Sequence, residues 1–157
     1  MNVIVCGGGE TLLDDLKQCP EGIKISCNYH ALHAGIECEY TVYTAKAIVE
    51  PLLDGYKTHK VCVNGYEGKK IRMFGYVGTA AVMFAIQWLK ADRVYIAGVD
   101  LYTGKQKYCH PHEGKSGNEA RGLANQKAWW NQCLKYLGDD INKLHPISGP
   151  LVEMCEQ

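Results

Sequence analysis

The sequence has no excess of charge of either sign. Its 157 residues contain 17 Lys and Arg against 17 Asp and Glu, so the formal net charge is zero at pH 7 with neutral histidines. Proteins that follow a nucleic acid backbone or coat an acidic membrane carry a basic surplus. The short basic runs Lys69-Lys70 and Lys105-x-Lys107 do not supply one. We therefore expect neither nucleic acid nor membrane as a partner.

The sequence also lacks a membrane-length apolar run, a leader-like start and paired cysteines. No stretch approaches the roughly 20 residues that cross a bilayer, and the first ten residues have neither the basic region nor the cleavage site of a signal peptide. The eight cysteines include no CxxC pair, which argues against a zinc knuckle or a thioredoxin-type site. These absences predict a reduced, soluble, cytoplasmic protein.

What the sequence does contain is a regular alternation of strand-like and helix-like segments. Strands are predicted at residues 2–6, 23–28, 39–43, 60–63, 71–74, 93–97 and 144–147, and helices at 11–17, 29–36, 45–53, 79–90 and 118–137. Short links between such elements favour a mostly parallel sheet with helices on both faces. We expect one α/β domain spanning residues 1–157, in which Trp129 and Trp130 belong to the core or to an oligomer interface.

Three consecutive glycines follow the first predicted strand. A glycine-rich bend between a strand and a helix lets backbone N–H groups approach a phosphate. The dinucleotide fingerprint is incomplete because Leu12 stands where the third glycine belongs. A tight turn without a ligand is the alternative, but three glycines exceed what a turn needs. We therefore predict a nucleotide contact at Gly7, Gly8, Gly9 and Glu10.

Two further short motifs are predicted to bind a nucleotide. Asn28 ends the second predicted strand, where NAD-binding folds carry an acidic residue for the ribose. Its uncharged amide favours another nucleotide or a sugar, although a helix cap explains the residue equally well. Gly78 and Thr79 precede a buried helix and are predicted either to contact the ligand or to cap that helix.

The densest group of reactive side chains follows the predicted strand 93–97. Ligands of open α/β sheets bind beyond the carboxyl ends of the strands. Asp100, which follows Gly98 at such an end, is suited to hold ribose or sugar hydroxyls. Tyr102 and Tyr108 are suited to donate hydrogen bonds to a leaving phosphate, which stabilises developing charge without a metal.

The sequence Cys109-His110-Pro111-His112-Glu113 completes this segment. Either histidine is a candidate general base, because an imidazole titrates near neutral pH. The Cys, His and Glu side chains together are possible zinc ligands, and a solvated loop is the third interpretation. We expect no metal, since adjacent ligands in a proline-constrained run rarely complete a tetrahedron.

In their order along the chain, these motifs resemble the small Rossmann-like bacterial sialyltransferases that use CMP-sialic acid. The resemblance covers most of the chain and is carried by VIVCGGGETL at the start, Cys27-Asn28, Gly78-Thr79 and Ala97-Gly98-Val99-Asp100. In that family two tyrosines follow the Asp by two and eight residues and contact the CMP phosphate. Tyr102 and Tyr108 have this spacing.

The resemblance implies a metal-independent, inverting transfer from a nucleotide sugar, with a CMP-sugar as substrate, no required cofactor and donor hydrolysis as a side reaction. It assigns the base to a loop histidine, which leaves His110 and His112 open. Short phage-encoded proteins of unknown function share the same outline. The alternatives are a module that binds a nucleotide without turnover and a metal-dependent pyrophosphoryl transferase or hydrolase.

The sequence departs from the family pattern in three respects. Thr44 stands where an asparagine is expected after the third strand, and Val77 stands where serine is usual. The chain is also shorter than the family members and has little room for their lid and membrane-associating tail. These differences affect the contacts expected for cytidine and for the acceptor more than those expected for a phosphate.

Overall fold

The chain forms one sheet of six parallel strands, seen in a computed structural model that describes residues 1–101, 108–111 and 117–156, with the backbone only for 117–121. The strands run in the order β4-β3-β2-β1-β5-β6. Their bounds are β1 Asn2–Cys6, β2 Ile23–Cys27, β3 Tyr40–Tyr43, β4 His59–Cys62, β5 Arg93–Ala97 and β6 Leu144–Pro146. The predicted parallel α/β fold is confirmed.

Helices connect the strands. Their bounds are α1 Leu12–Leu16, α2 His30–His33, α3 Lys46–Val49, α4 Val77–Gln87, α5 Gly117–Leu137 and α6 Leu151–Cys155, with 3-10 turns at Glu50–Leu53 and Gly138–Lys143. Pro51 lies in the first turn of Glu50–Leu53, where its missing N–H is tolerated. Gly122 has φ 75° and ψ 168° and kinks α5. No helix among the described residues is long and apolar enough to span a membrane.

Apolar side chains cover both faces of the sheet. Successive residues of a strand point to opposite faces, so Val3 and Val5 of β1 join the core under α4 and α5, while Ile4 and Cys6 join a second core under α1 and α2. Nearly every side chain of α4 is buried, as its uniformly apolar sequence predicts. Trp130 is fully buried in the first core, whereas Trp129 is half-buried.

Two elements of the secondary structure differ from the prediction. Residues 71–74 do not form a strand. Ile71 is the one buried residue among them, and the hydrogen bond from its N–H to the carbonyl of Val63, at 2.9 Å, does not extend into a ladder of strand hydrogen bonds. Helix α6 was not predicted at all.

The strand order fixes where a ligand site is expected. From β1 the chain adds β2, β3 and β4 on one side of the sheet and then crosses to place β5 and β6 on the other. The direction of winding therefore reverses between β1 and β5. In doubly wound sheets the crevice beyond the carboxyl ends at such a reversal is the usual place for a ligand.

Candidate functional site

The glycine loop after β1 lies directly against the end of β5. The N–H of Gly7 donates to the carbonyl of Ala97 at 2.8 Å, and the N–H of Gly9 donates to the carbonyl of Gly98 at 2.8 Å. A Cβ on Gly7 would lie 2.5 Å from the oxygen of Gly98. The glycines thus permit a close approach of the loop backbone to the backbone at the end of β5. The N–H groups of Gly7 and Gly9 are both occupied by hydrogen bonds within the protein.

Asp100 is held against this loop. The hydroxyl of Thr11 donates to Oδ1 of Asp100, and the Thr11 N–H lies 3.5 Å from Oδ2. A Cβ on Gly9 would lie 2.0 Å from Oδ2, so any side chain at Gly9 would displace the carboxylate. The next residue, Leu101, has φ 52°, a left-handed conformation that is uncommon outside glycine.

Asp15 is a buried carboxylate under the site that the sequence did not single out. It is 3% exposed and accepts hydrogen bonds from Gly98 N–H at 2.9 Å and from Ser148 Oγ at 2.8 Å. Thr11 Oγ1, whose single hydrogen is shared between the two carboxylates, lies 3.1 Å from Asp15 Oδ2. These bonds join α1 to the chain segments that follow β5 and β6. Because Thr11 contacts both carboxylates, Asp15 and Asp100 belong to one polar network.

The segment that carries Tyr108 and His110 returns to the glycine loop. Tyr108 and Gly9 form an antiparallel bridge, and the Cys109 N–H donates to the carbonyl of Gly8 at 3.0 Å. Burial raises the pKa of the Cys109 thiol to about 11, so this thiol is protonated at neutral pH. The contact brings the predicted tyrosine and histidine beside the predicted nucleotide loop.

His30, the first residue of α2, is a site residue that sequence reasoning missed. Its Nδ1 lies 2.8 Å from Nε2 of His110, and its ring stacks on that of Tyr108 with centroids 4.7 Å apart. A Cβ on Gly8 would lie 2.7 Å from Cγ of His30. The available signal was the position of His30, two residues after Asn28 and therefore beyond the carboxyl end of β2.

Asn28 does not cap the helix that follows it. The cap position of α2 is Tyr29, and Oδ1 of Asn28 instead accepts the N–H of Thr44 at 3.3 Å. Since Oδ1 serves as the acceptor, Nδ2 is the donating end of the amide, and it has no partner among the described residues. Asn28 has φ 53°; such unfavourable conformations are often found at functional sites.

Gly78 and Thr79 contact the turn that precedes α4. The Thr79 hydroxyl accepts the N–H of Phe74 at 2.8 Å and lies 2.8 Å from the carbonyl of Tyr76, to which it can donate. Thr79 is fully buried and is the third residue of α4, so it is not the N-cap. A Cβ on Gly78 would lie 2.9 Å from the Tyr76 ring. Both residues therefore hold the turn before α4.

Several predicted residues remain to be placed. Glu10 is exposed at the end of the glycine loop, and Gly98 has φ 69° where β5 ends. Tyr102, His112 and Glu113 lie outside the described residues. Among the residues that are described, no group of three or more His, Cys, Asp or Glu side chains is placed to hold a metal ion.

Comparison with known proteins assigns the fold. No family model and no curated protein matches the sequence. The structure is similar to that of the sialyltransferase CstII from Campylobacter jejuni in complex with a substrate analogue, cytidine-5'-monophosphate. The TM-score is 0.64 at 15% identity, and the match covers 97% of this chain and 82% of that one. The chain has the fold of this sialyltransferase.

Two further structures share this fold to different degrees. Sialyltransferase CST-II in complex with a trisaccharide acceptor and CMP matches 98% of this chain and 84% of its own, with a TM-score of 0.62 and 16% identity. A protein from Lactobacillus plantarum matches 94% of this chain but 60% of its own, with a TM-score of 0.52 and 15% identity. The resemblance inferred from the motifs is thus confirmed for the fold.

Proposed function

We propose that the chain is a glycosyltransferase that uses a nucleotide sugar, with a CMP-sugar as donor. The observation that carries this proposal is the meeting of three segments where the winding of the sheet reverses: the glycine loop, the end of β5 with Asp100, and the return segment with Tyr108 and His110. The similar structures bind CMP at the same fold. The glycine loop suits the phosphate of a nucleotide sugar, the Asp100 carboxylate suits its ribose or sugar hydroxyls, and the Tyr108 phenol suits the oxygen of the leaving group.

The nucleotide side of the site is formed by the loop, Asn28 and Asp100. With the amides of Gly7 and Gly9 bound to carbonyls, the Gly8 N–H is the loop amide left for a phosphate, since it has no partner among the described residues. The Nδ2 group of Asn28 supplies a second donor. Asp100, oriented by Thr11, accepts hydrogen bonds from ribose or sugar hydroxyls.

The leaving-group side is formed by the tyrosines. The backbone bridge of Tyr108 to Gly9 and the stacking of its ring on His30, which lies beside the same loop, support a role for its phenol at the phosphate. We assign the same role to Tyr102 from its spacing in the sequence alone. Hydrogen bonds from such phenols stabilise the charge that develops on a departing phosphate. A histidine of the return segment, His110 or His112, removes the proton from the acceptor hydroxyl.

This chemistry requires no metal and predicts inversion at the anomeric carbon. The acceptor oxygen attacks from the side opposite the leaving phosphate, so a single displacement inverts the configuration. Without an acceptor, water takes its place and the donor is hydrolysed. We also propose that residues 1–157 act as one domain and that the protein works in the cytoplasm.

The proposal is tested by a turnover assay with CMP-sialic acid and with other CMP-, UDP- and GDP-sugars, each with and without a sugar acceptor and with EDTA. We expect release of CMP that EDTA does not reduce and that Tyr108→Phe lowers by about 10²-fold or more, the usual effect of losing one donor to a developing anion. Tyr56→Phe, an exposed tyrosine at the amino edge of β4, is the matched control and should leave the rate unchanged.

Each other outcome selects a different function. Binding of CMP without any product would support a module that sequesters a nucleotide. Loss of turnover in EDTA, restored by a divalent ion, would support a metal-dependent pyrophosphoryl transferase or hydrolase. Retention of the anomeric configuration, read by proton NMR of the product, would contradict the single displacement.

A further inference from the structure

Asp15 is a buried carboxylate that has no part in the proposed transfer chemistry. Its side chain is 3% exposed, and it contacts the Gly98 N–H, the Ser148 hydroxyl and the Thr11 hydroxyl, which are all uncharged. Among the residues that the structure describes, no lysine, arginine or histidine forms an ion pair with it. Because burial of a carboxylate without a cation is costly, we looked for its role in the groups that it holds.

The Gly98 peptide is fixed from both sides. Its N–H donates to Oδ2 of Asp15 at 2.9 Å, and its carbonyl accepts the N–H of Gly9 in the glycine loop at 2.8 Å. Gly98 has φ 69°, and Asp100 follows two residues later. The bond to Asp15 thus sets the direction in which the chain leaves β5 toward Asp100.

The turn after β6 packs against the same segment. Ser148 Oγ lies 2.8 Å from Oδ1 and 2.9 Å from Oδ2 of Asp15. A Cβ on the next residue, Gly149, would lie 3.3 Å from the carbonyl oxygen of Val99 and 3.6 Å from Cα of Asp100. Ser148 therefore ties this turn to Asp15, and the turn covers the backbone that carries Asp100.

We propose that Asp15 is a positioning residue that fixes the Asp100 carboxylate in the nucleotide site. This inference rests on the proposed function, in which Asp100 accepts hydrogen bonds from ribose or sugar hydroxyls. Asp15 itself is too deeply buried to contact the ligand. It acts through the Gly98 peptide and the Ser148 turn, and it shares the hydrogen of the Thr11 hydroxyl with Asp100.

The backbone beside Asp100 needs such support. Leu101 has φ 52°, a left-handed conformation that is unfavourable for a residue other than glycine. Conformations of this kind persist where the surrounding structure over-determines them. The Gly98 bond and the turn over Asp100 supply that constraint, so loss of the Asp15 carboxylate should release residues 98–101.

Two substitutions of Asp15 separate its hydrogen bonds from its charge. Asp15→Ala removes every acceptor, and we expect about 10-fold weaker CMP binding in calorimetry, because a displaced Asp100 loses charge-assisted hydrogen bonds to the ligand. Asp15→Asn keeps an oxygen for the Gly98 N–H, and its amide can donate to the Ser148 hydroxyl, so it should bind CMP within about 3-fold of the wild type. Asp14→Ala, the exposed acid beside it on α1, is the matched control and should leave the affinity unchanged.

A double-mutant cycle distinguishes positioning from a general loss of structure. If Asp15 acts through Asp100, Asp15→Ala should weaken CMP binding by less than about 2-fold in a protein that already carries Asp100→Ala. A loss of about 10-fold in both backgrounds would overturn the proposal, because the effect would then not pass through Asp100. Should Asp15→Ala fail to fold, Ser148→Ala takes its place in the cycle, with an expected loss of about 3-fold when Asp100 is present.

Amide hydrogen exchange tests the same constraint without a ligand. We expect the Gly98 amide to exchange at least about 10-fold faster in Asp15→Ala than in the wild type, while the amides of β1 keep their wild-type rates. Asp15→Asn should restore the protection, and unchanged protection of Gly98 in Asp15→Ala would contradict the assignment. A folded wild-type protein that binds neither CMP nor any CMP-sugar would reject the proposed function instead, and the exchange rates would still decide whether Asp15 fixes this segment.

Discussion

Gly9 and Asp100 are so close that a Cβ on the glycine would lie 2.0 Å from Oδ2 of the carboxylate. The two residues are 91 positions apart in the chain, and β1 and β5 bring them together as neighbouring strands. In the proposed function the loop binds a phosphate and the Asp100 carboxylate binds a ribose or sugar hydroxyl, and this contact makes the two neighbours. The contact therefore couples the two halves of the proposed nucleotide site.

Replacing Gly9 with alanine should break this coupling. The methyl group would meet Asp100 Oδ2 and, at 2.7 Å, the Gly98 carbonyl, so the backbone has to shift. We expect the free energy of unfolding to fall by about 1–3 kcal/mol, the usual cost of overpacking, and CMP binding to be lost. Urea unfolding and calorimetry measure the two effects. Gly65→Ala, whose Cβ would meet no atom within 4 Å, should change either quantity little.

Thr11 should matter for affinity through its hydroxyl, not through its shape. Thr11→Val removes the donor to Asp100 and is nearly isosteric, so we expect about 10-fold weaker CMP binding, since a hydrogen bond to a charged group contributes about 1.5–3 kcal/mol. Thr11→Ser keeps the hydroxyl and should bind within about 3-fold of the wild type. Equal losses in the two variants would show that the methyl group, and not the bond, is responsible.

Asn28 should act as a donor. Asn28→Asp preserves the oxygen that accepts the Thr44 N–H but replaces the Nδ2 donor with a negatively charged oxygen. We expect at least 10-fold weaker binding of CMP, from the lost donor and from repulsion of the phosphate, with little change in stability. Asn64→Asp, an exposed asparagine after β4, is the control for added charge. Tighter binding by Asn28→Asp would mean that this residue faces a ribose, as the acidic residue of NAD-binding folds does.

The sequence predicted the sheet well because each strand is a short apolar run bounded by glycine, proline or polar residues. It also predicted that reactive residues such as Asp100 follow strands, and Asp100 does lie beyond the end of β5, where the winding of the sheet reverses. Asp15 and His30 were not predicted as site residues. Their roles depend on partners 83 and 80 positions away, Gly98 and His110, and no local pattern specifies such distant contacts.

Thr79 was singled out from the sequence, but the local sequence does not determine its role. A threonine at the start of a buried helix is compatible with a cap, a ligand contact or an internal bond, and the local sequence is the same in all three cases. The fold decides among them: the turn 74–76 folds back over the first residues of α4, and the Thr79 hydroxyl holds it. Packing between segments, not propensity, determines the outcome.

Buried thiols should make the protein less stable at alkaline pH. Burial raises the pKa of Cys27 from 9.0 to about 12. Because the unfolded chain releases this proton first, the stabilisation is complete below pH 9 and is lost as the pH rises toward 12. We expect the free energy of unfolding in urea to fall by up to about 1.4 kcal/mol per pH unit for this thiol above pH 9. Cys27→Ala should be less stable at pH 7 but show a shallower decline, and an unchanged slope would assign the effect to other groups.

The most direct test of the central claim, that this site binds a cytidine nucleotide, is a calorimetric titration of the wild-type protein with CMP in EDTA, compared with UMP, AMP and GMP. We predict one saturable site for CMP, at least about 10-fold tighter than for the other three, a difference of about 1.4 kcal/mol. The Gly9→Ala variant, checked for folding, should show no heat of binding. Absence of CMP binding by the folded wild-type protein, or equal binding by Gly9→Ala, would contradict the account.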